Sequence, residues 1–357
     1  MRCETIEAVP VQIAPLRPSV TSWVAARLPG LALAAAIAAV STVIGRFVPI
    51  LGSAVPGIVI GVVLGALLKP GELLKPGIAY SSKFVLQLSV VFLGTQLSIT
   101  EVGRVGLGSL PVMLGTLVIC LAAAWLLGRA LGVIGNLRTL IGVGTGICGA
   151  SAIAATAPVV GAVGAEVAYA VSTIFLFNIA AVVVFPFLGH LFGMSQQAFG
   201  LFAGTAVNDT SSVVAAASTY GSQATSTAVV VKLVRTLMII PITLGLAGVV
   251  ARRPTASEGA APARPTLTRV LRLIPWFLIG FVIACLVNTV GLIPDAAHGP
   301  IREVSIFLIA TALSAIGLST DIAGLRRAGW RPLLLGGLLW VIVTLSSLGL
   351  QWLTGSI

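Results

Sequence analysis

Charge is what this sequence has least of. Asp, Glu, Lys and Arg make up 9% of its 357 residues, whereas a soluble domain carries about 25%. Too few ionic side chains are present to cover a surface in water, which excludes a soluble enzyme, a disordered chain and a nucleic-acid-binding protein. Histidine occurs only twice, and the four cysteines, Cys3, Cys120, Cys148 and Cys285, form no C-x-x-C pair. That shortage leaves no set of ligands for a metal shell. No metal, no cofactor and no catalytic group are expected, and the chain does not read as an enzyme. The first residues are polar and proline-spaced, without the short apolar core of a signal peptide. Residues 1–27 are therefore expected to form a cytoplasmic tail.

What is abundant is apolar length. Hydrophobic residues account for 57% of the chain and the mean hydropathy is +1.10. A membrane-crossing helix needs about 20 mostly apolar residues. Eleven stretches qualify: 28–45, 50–68, 80–99, 110–132, 139–160, 168–193, 200–218, 226–250, 270–290, 302–320 and 332–354. They are too long and too rich in Gly, Ala and Leu for strands, and they lack the alternation of a membrane barrel. The expected fold is an all-α polytopic membrane protein with a transmembrane domain over 28–354. The polar stretch 251–268, with Arg252, Arg253 and Arg264, is its one internal loop of any length.

The basic excess, 21 Lys and Arg against 10 Asp and Glu, is distributed by side. With the N-terminus inside, fifteen basic residues fall on inner segments and three, Arg46, Arg104 and Arg302, on outer ones. This bias is the positive-inside signal. It predicts a cytoplasmic N-terminus, a cytoplasmic 251–268 loop and an external C-terminus, its basic residues serving topology rather than nucleic acid.

Two internal repeats are present. At an offset of 221, Leu97, Ser98, Gly103, Gly108 and Pro111 match Leu318, Ser319, Gly324, Gly329 and Pro332. Each copy is a span, a polar turn and a second span, and the copies begin at the third and tenth stretches, so they are expected to be inverted. Inverted repeats are characteristic of secondary transporters. At an offset of 60, Gly144, Thr145, Ser151 and Ala155 match Gly204, Thr205, Ser211 and Ala215. The two offsets do not fit one collinear duplication.

The offset of 60 relates the two polar segments inside the apolar stretches. One holds Gly144, Thr145, Gly146, Cys148, Gly149 and Ser151; the other holds Asn208, Asp209, Thr210, Ser211 and Ser212. Backbone groups in lipid must be satisfied internally, so Gly- and hydroxyl-rich runs at mid-depth point to helices that break beside a cavity. A broken helix offers free N–H groups and a positive dipole end to an anion. Close helix packing through small residues is the alternative, but it leaves Asn208 and Asp209 unexplained. A mid-span carboxylate costs roughly 2.5–3.5 kcal/mol on insertion scales, so Asp209 is the candidate residue for a coupling proton or sodium ion, with a purely structural, buried and hydrogen-bonded carboxylate as the alternative. Lys232 and Arg235 share a helix face one turn apart, either helping to hold an anion or snorkelling to the headgroups. Gly144, Gly146 and Gly149 also fit the dinucleotide pattern, but that pattern requires a soluble strand–turn–helix. Gly57, Gly61 and Gly65 read as a helix-packing stripe.

The segments Gly144-Thr-Gly-Ile-Cys-Gly-Ala-Ser-Ala-Ile, Gly204-Thr-Ala-Val-Asn-Asp-Thr-Ser-Ser and Val231-Lys-Leu-Val-Arg-Thr-Leu-Met-Ile-Ile-Pro together resemble a conserved bacterial multi-pass membrane family labelled sulfate exporters. The resemblance covers the chain from about Gly30 to the C-terminus. It implies a relationship to the bile-acid symporter and sodium/proton antiporter folds, with inverted repeats and crossing broken helices. It also implies a small sulfate- or sulfonate-like anion as substrate. The sequence departs from the family pattern at Asn208, where many members have His, and at Ala157, where many have an acid.

The expected function is secondary transport of a small anion, coupled to a proton or sodium ion or working as a uniporter. A channel-like or regulatory membrane protein is the alternative. The expected partners are the anion, the coupling ion and the bilayer, with a homodimer compatible and no nucleic acid.

Overall fold

In the computed structural model, residues 20–47, 54–68, 70–133, 135–251, 276–319 and 330–357 are described. They form helices and short connections, with no strand among the described residues. The chain runs through α1 (Val20–Phe47), α2 (Ala54–Leu68), α3 (Lys75–Gly94, with one π turn at Ser81–Val85) and α4 (Ile99–Ala130). It continues through α5 (Gly135–Gly146), α6 (Ala150–Val160), α7 (Gly164–Leu191), α8 (Gln196–Ala206) and α9 (Thr210–Tyr220). Then come α10 (Ser222–Leu237), α11 (Ile239–Ala251), α12 (Trp276–Thr289), α13 (Asp295–Leu318) and α14 (Trp330–Leu353).

Every one of the eleven apolar stretches contains helix. Seven are uninterrupted or nearly so and long enough to cross a membrane, with α10 and α11 counted as one. The short α2 and α12 account for two more, and the pairs α5–α6 and α8–α9 for the last two. Phe47, Leu67, Leu107, Phe187 and Trp352 are exposed on the outside of the bundle, as lipid-facing side chains must be. The first helix begins at Val20, inside the segment expected to be tail; residues 1–19 and most of the 251–268 loop lie outside the described residues.

The two interrupted stretches turn back on themselves. A straight helix from Asn136 to Gly161 would separate its ends by about 38 Å, yet Asn136 Nδ2 donates to Gly161 O at 3.3 Å. Likewise Tyr220 Oη donates to Met194 O at 2.5 Å, and Gln223 N donates to Gln196 Oε1 at 3.0 Å. The Tyr220 ring stacks on Phe199 and on His190. So α5–α6 and α8–α9 are re-entrant hairpins. The long α7 runs from the base of the first to the base of the second, which puts the hairpins on opposite faces. Each hairpin is followed by a span, α7 or α10, and this hairpin-plus-span unit is the repeat of offset 60: α6 begins at Ala150 and ends at Val160, α9 at Thr210 and Tyr220.

The helices gather into two bundles. One holds α1, α2, α3, α12 and α13; the other holds α4 to α11 and α14, and they meet where α9 touches α2 and α13 and where α4 touches α12. The glycine stripe of α2 closes the first bundle. A Cβ on Gly57 would lie 2.9 Å from Ser314 Oγ and one on Gly65 2.8 Å from Leu318 O, with Gly317 opposing Gly61. The 221 repeat links the bundles. Ser305 donates to Ser89 O and Gln96 to His298 O, so α3 and α13 run antiparallel. Gly115 faces Leu350 and Gly132 faces Arg331, so α4 and α14 do as well. The copies are therefore inverted, each giving one helix to each bundle.

Candidate functional site

The tips of the two hairpins meet. At the first, Gly149 adopts φ 71°, a left-handed conformation that favours glycine, and reverses the chain between α5 and α6. At the second, Val207 and Asn208 leave α8 and Asp209 caps α9, its carboxylate accepting from Ser211 N at 3.0 Å. A Cβ on Gly149 would lie 3.2 Å from Asp209 Cβ, so the two tips are in close contact and a side chain there would press on the second. Four half-helix ends thus converge. The C-termini of α5 and α8 carry partial negative charge and the N-termini of α6 and α9 partial positive charge.

The C-termini are neutralised from α10. Lys232 Nζ donates to Ile147 O at 2.9 Å and to Val207 O at 2.8 Å. Arg235 Nε donates to Gly146 O at 2.6 Å, and its Nη1 donates to Thr205 O. Each cation therefore bridges both hairpins. Both side chains are fully buried, which removes the snorkelling alternative. It also changes the expected anion clamp, because three of the four donors that would have faced an oxyanion go to carbonyl groups of the C-termini. Arg235 Nη2 is buried with no partner. The positioning follows from packing: Gly200 lies against Ala224 and Thr227, and Gly204 against Ala228 and Val231, so α8 and α10 run parallel at close range and bring Lys232 level with the tip.

The N-terminal side is more open. Asp209, Thr210, Ser211 and Ser212 are half-buried and Ser151 is exposed. Asp209 forms no ion pair with Lys232 or Arg235. Asn208 N donates to Asn178 Oδ1 on α7 at 3.2 Å, while Asn208 Oδ1 and Asn178 Nδ2 are buried and unpartnered. The tip region thus holds two buried cations, one carboxylate and two amides with spare hydrogen-bonding capacity.

Three spaces open beside the second hairpin, two of them bordered by α9. A cavity of about 590 Å³ between α3, α9, α10 and α13 is lined by Gln96, Ser218, Ser222, Gln223, Arg302 and Ser305 among others. A second of about 190 Å³ shares Leu97, Gln223 and Ser226 with it and adds Glu101, Arg104 and Gln197. The third, about 10 Å³, lies beside Ser211 and Ser212 against Ile58, Phe175, Leu313 and Ile316. That is room for about one water. Ser218 and Ile309 line the large cavity, Ser212 and Leu313 the small one, so the same two helices, α9 and α13, border both.

Of the residues singled out in the sequence, Gly146, Cys148, Gly149, Asn208, Asp209, Lys232 and Arg235 come together at the tips. Gly144 and Thr145 lie earlier in α5, where Gly144 packs against Ile153 and Ile174. Both readings of the small residues hold, in different places: close packing along α5 and α8, chain breaks at 147–149 and 207–209. Gly144 and Gly146 lie within a helix rather than a strand–turn, which disposes of the dinucleotide pattern. Sequence reasoning missed Asn178, whose signal was a lone amide in an otherwise apolar span, and Gln96, Gln223 and Ser218, which only the fold gathers.

A family model described as "Conserved hypothetical protein 698" matches residues 29–336. A UPF0324 membrane protein of Streptococcus pyogenes serotype M3 is 42% identical over 331 residues, covering 91% of this chain and 96% of the relative. One from Streptococcus agalactiae serotype V is 40% identical over 341 residues, covering 92% and 98%. A third, from Streptococcus pneumoniae serotype 4, is 42% identical over 327 residues, covering 89% and 95%. The chain is a multi-pass membrane protein and belongs to the UPF0324 membrane protein family.

Proposed function

We propose that this protein is a secondary transporter of a small anion, bound where the two hairpin tips meet and coupled to a proton or sodium ion through Asp209. The observation that carries the reading is the contact between tips entering from opposite faces, Gly149 against Asp209. Non-helical backbone at membrane depth is tolerated where it lines a cavity or is buried in protein, and in transporters such breaks lie at substrate sites. The charge balance supports an anion. Lys232 and Arg235 outweigh Asp209 by one unit, and the N–H groups of α6 and α9 point at the same region. An oxyanion of sulfate or sulfonate size would take backbone N–H groups and the hydroxyls of Ser151, Ser211 and Ser212. Asp209 occupies part of that space as the cap of α9, so neutralising it by a bound cation would favour anion entry. Transport outward, and sulfate in particular, rest on the family resemblance of the sequence motifs.

The test is counterflow of radiolabelled sulfate in proteoliposomes, followed by taurine and small carboxylates. A carrier gives saturable, strongly temperature-dependent exchange. Asp209→Asn keeps volume and hydrogen bonding, so it is expected to fold and exchange while losing gradient-driven accumulation. Linear, unsaturable flux would point to a channel. An unchanged response of Asp209→Asn to pH and sodium would remove Asp209 from coupling.

A further inference from the structure

Four carbonyl groups at the hairpin tips, Gly146 O and Ile147 O at the end of α5 and Thr205 O and Val207 O at the end of α8, all accept hydrogen bonds from side chains of α10. Free carbonyls at the C-terminal ends of broken helices are the ligands by which transporters hold sodium. They are hard oxygen donors at the negative end of a dipole, away from bulk water. Here that role is filled from within the chain. We infer that Lys232 and Arg235 occupy, with their own side-chain charge, the cation positions created by the two converging helix C-termini, so that the tip site takes no sodium ion and its exchangeable positive charge is a proton on Asp209. This rests on the transporter reading and deepens it by naming the coupling ion.

Three features carry the argument. First, the carbonyl positions are engaged, each cation spanning both hairpins with bonds of 2.6–2.9 Å among those of ordinary length. A tethered cation is not diluted by exchange with solvent, so a mobile ion would have to displace a permanent neighbour. Second, the oxygen atoms left over do not favour a metal ion. Asp209, Thr210, Ser211 and Ser212 lie at the N-terminus of α9, the positive end of its dipole, and Gly149 brings the N-terminus of α6 beside them. Sodium at Asp209 would face two positive helix ends and the buried cations beyond them. A proton differs in kind, because it bonds directly to the carboxylate and requires no shell of oxygen ligands. Third, the ionisable groups that interact with Asp209 are Lys232 on α10 and Cys148 on the first tip. From α7 the neighbour is the neutral Asn178, and α2 and α13 present Ile58, Leu313 and Ile316 beside Ser211 and Ser212. No second carboxylate faces it from these elements to complete a cation cage.

The test uses the purified full-length protein in detergent at constant ionic strength, with choline chloride replaced stepwise by sodium chloride. A ligand held at about a hundred times its dissociation constant raises the unfolding midpoint by several degrees. The parent protein is expected to show no sodium-dependent shift. Lys232→Ala vacates Ile147 O and Val207 O, so its midpoint, lower than the parent's in choline, is expected to rise saturably with sodium or ammonium. A saturable sodium shift in the parent overturns the inference, and so does a folded Lys232→Ala that responds to neither ion. Should that variant fail to fold, the parent titration, repeated with the sulfate affinity read in each salt, still decides: a sodium-dependent affinity overturns the inference, an unchanged one supports it. These readouts concern ion binding and do not require flux. A sodium response with intact counterflow therefore defeats only the assignment of the ion, whereas absent anion binding and counterflow defeat the transporter reading itself.

Discussion

At the scale of single residues, Arg235 is the side chain with most to lose. It is fully buried and donates to the last carbonyls of two different hairpins. Its removal leaves those two carbonyls unpartnered and only Lys232 to offset the two helix dipoles in a water-poor interior. A buried acceptor left without its donor costs about 1–3 kcal/mol, and here there are two. Arg235→Ala should therefore be among the most destabilising single changes in the protein, read as a large drop in the unfolding midpoint of the purified variant. Arg235→Lys retains the charge but has no planar fork to reach both Gly146 O and Thr205 O, so it should lie between parent and Ala. A midpoint for Arg235→Ala within experimental error of the parent would mean that the two C-termini need no counter-charge beyond Lys232. The identity of these residues was readable from the sequence, since two cations in an apolar stretch are conspicuous. Their direction was not, because the carbonyls they serve lie on the two hairpins, 25 to 89 positions away.

At the scale of elements, the breaks were legible and the reversals were not. Gly149 and the capping pair Asn208–Asp209 announce chain interruptions in the sequence. Whether the helix then continues across or turns back depends on where its far end lies. Stretches 139–160 and 200–218 have a length that suits one crossing or two half-depth arms equally well. The positive-inside signal could not decide either, because no Lys or Arg occurs between Arg138 and Lys232. Turning both stretches into hairpins reverses α7 and no other full span, so the inner and outer basic residues stay where they were. The glycine stripe on α2 was legible in full. Gly61 lies against Ser314 O and 3.0 Å from Gly317 Cα once a Cβ is added, so backbone blocks backbone. Overpacking of this kind costs typically 1–3 kcal/mol. Gly61→Val should exceed Gly71→Val, whose added Cβ meets nothing within 4 Å, by about that amount in chemical denaturation or thermal unfolding. Equal effects at the two positions would contradict the close approach of α2 and α13.

At the scale of the whole molecule, the two bundles have different characters. In one, α1, α2, α3, α12 and α13 pack through small residues and aliphatic side chains around Leu313, Phe281 and Val90. The other holds the hairpins and their charges, with Phe185, Phe199 and Phe202 packed beside α14. They meet along α9, whose hydroxyl-bearing residues Ser211, Ser212, Ser218 and Thr219 border the spaces against α13. The account depends on α9 returning to the face from which α8 entered, since only then do two tips from opposite faces meet at Gly149 and Asp209.

That arrangement is tested most directly by which face each end of α7 occupies. Val163, at the base of the first hairpin, and Gln197, at the base of the second, are both exposed, whereas the parent's described cysteines are buried. Val163→Cys and Gln197→Cys would be labelled in intact cells with a membrane-impermeant thiol reagent, with Ser356→Cys marking the face of the C-terminus. Re-entrant hairpins place Gln197 on the same face as Ser356 and Val163 on the opposite one. Two straight crossings, at 139–160 and 200–218, reverse both assignments, so labelling of Val163→Cys together with Ser356→Cys while Gln197→Cys stays protected would contradict the account.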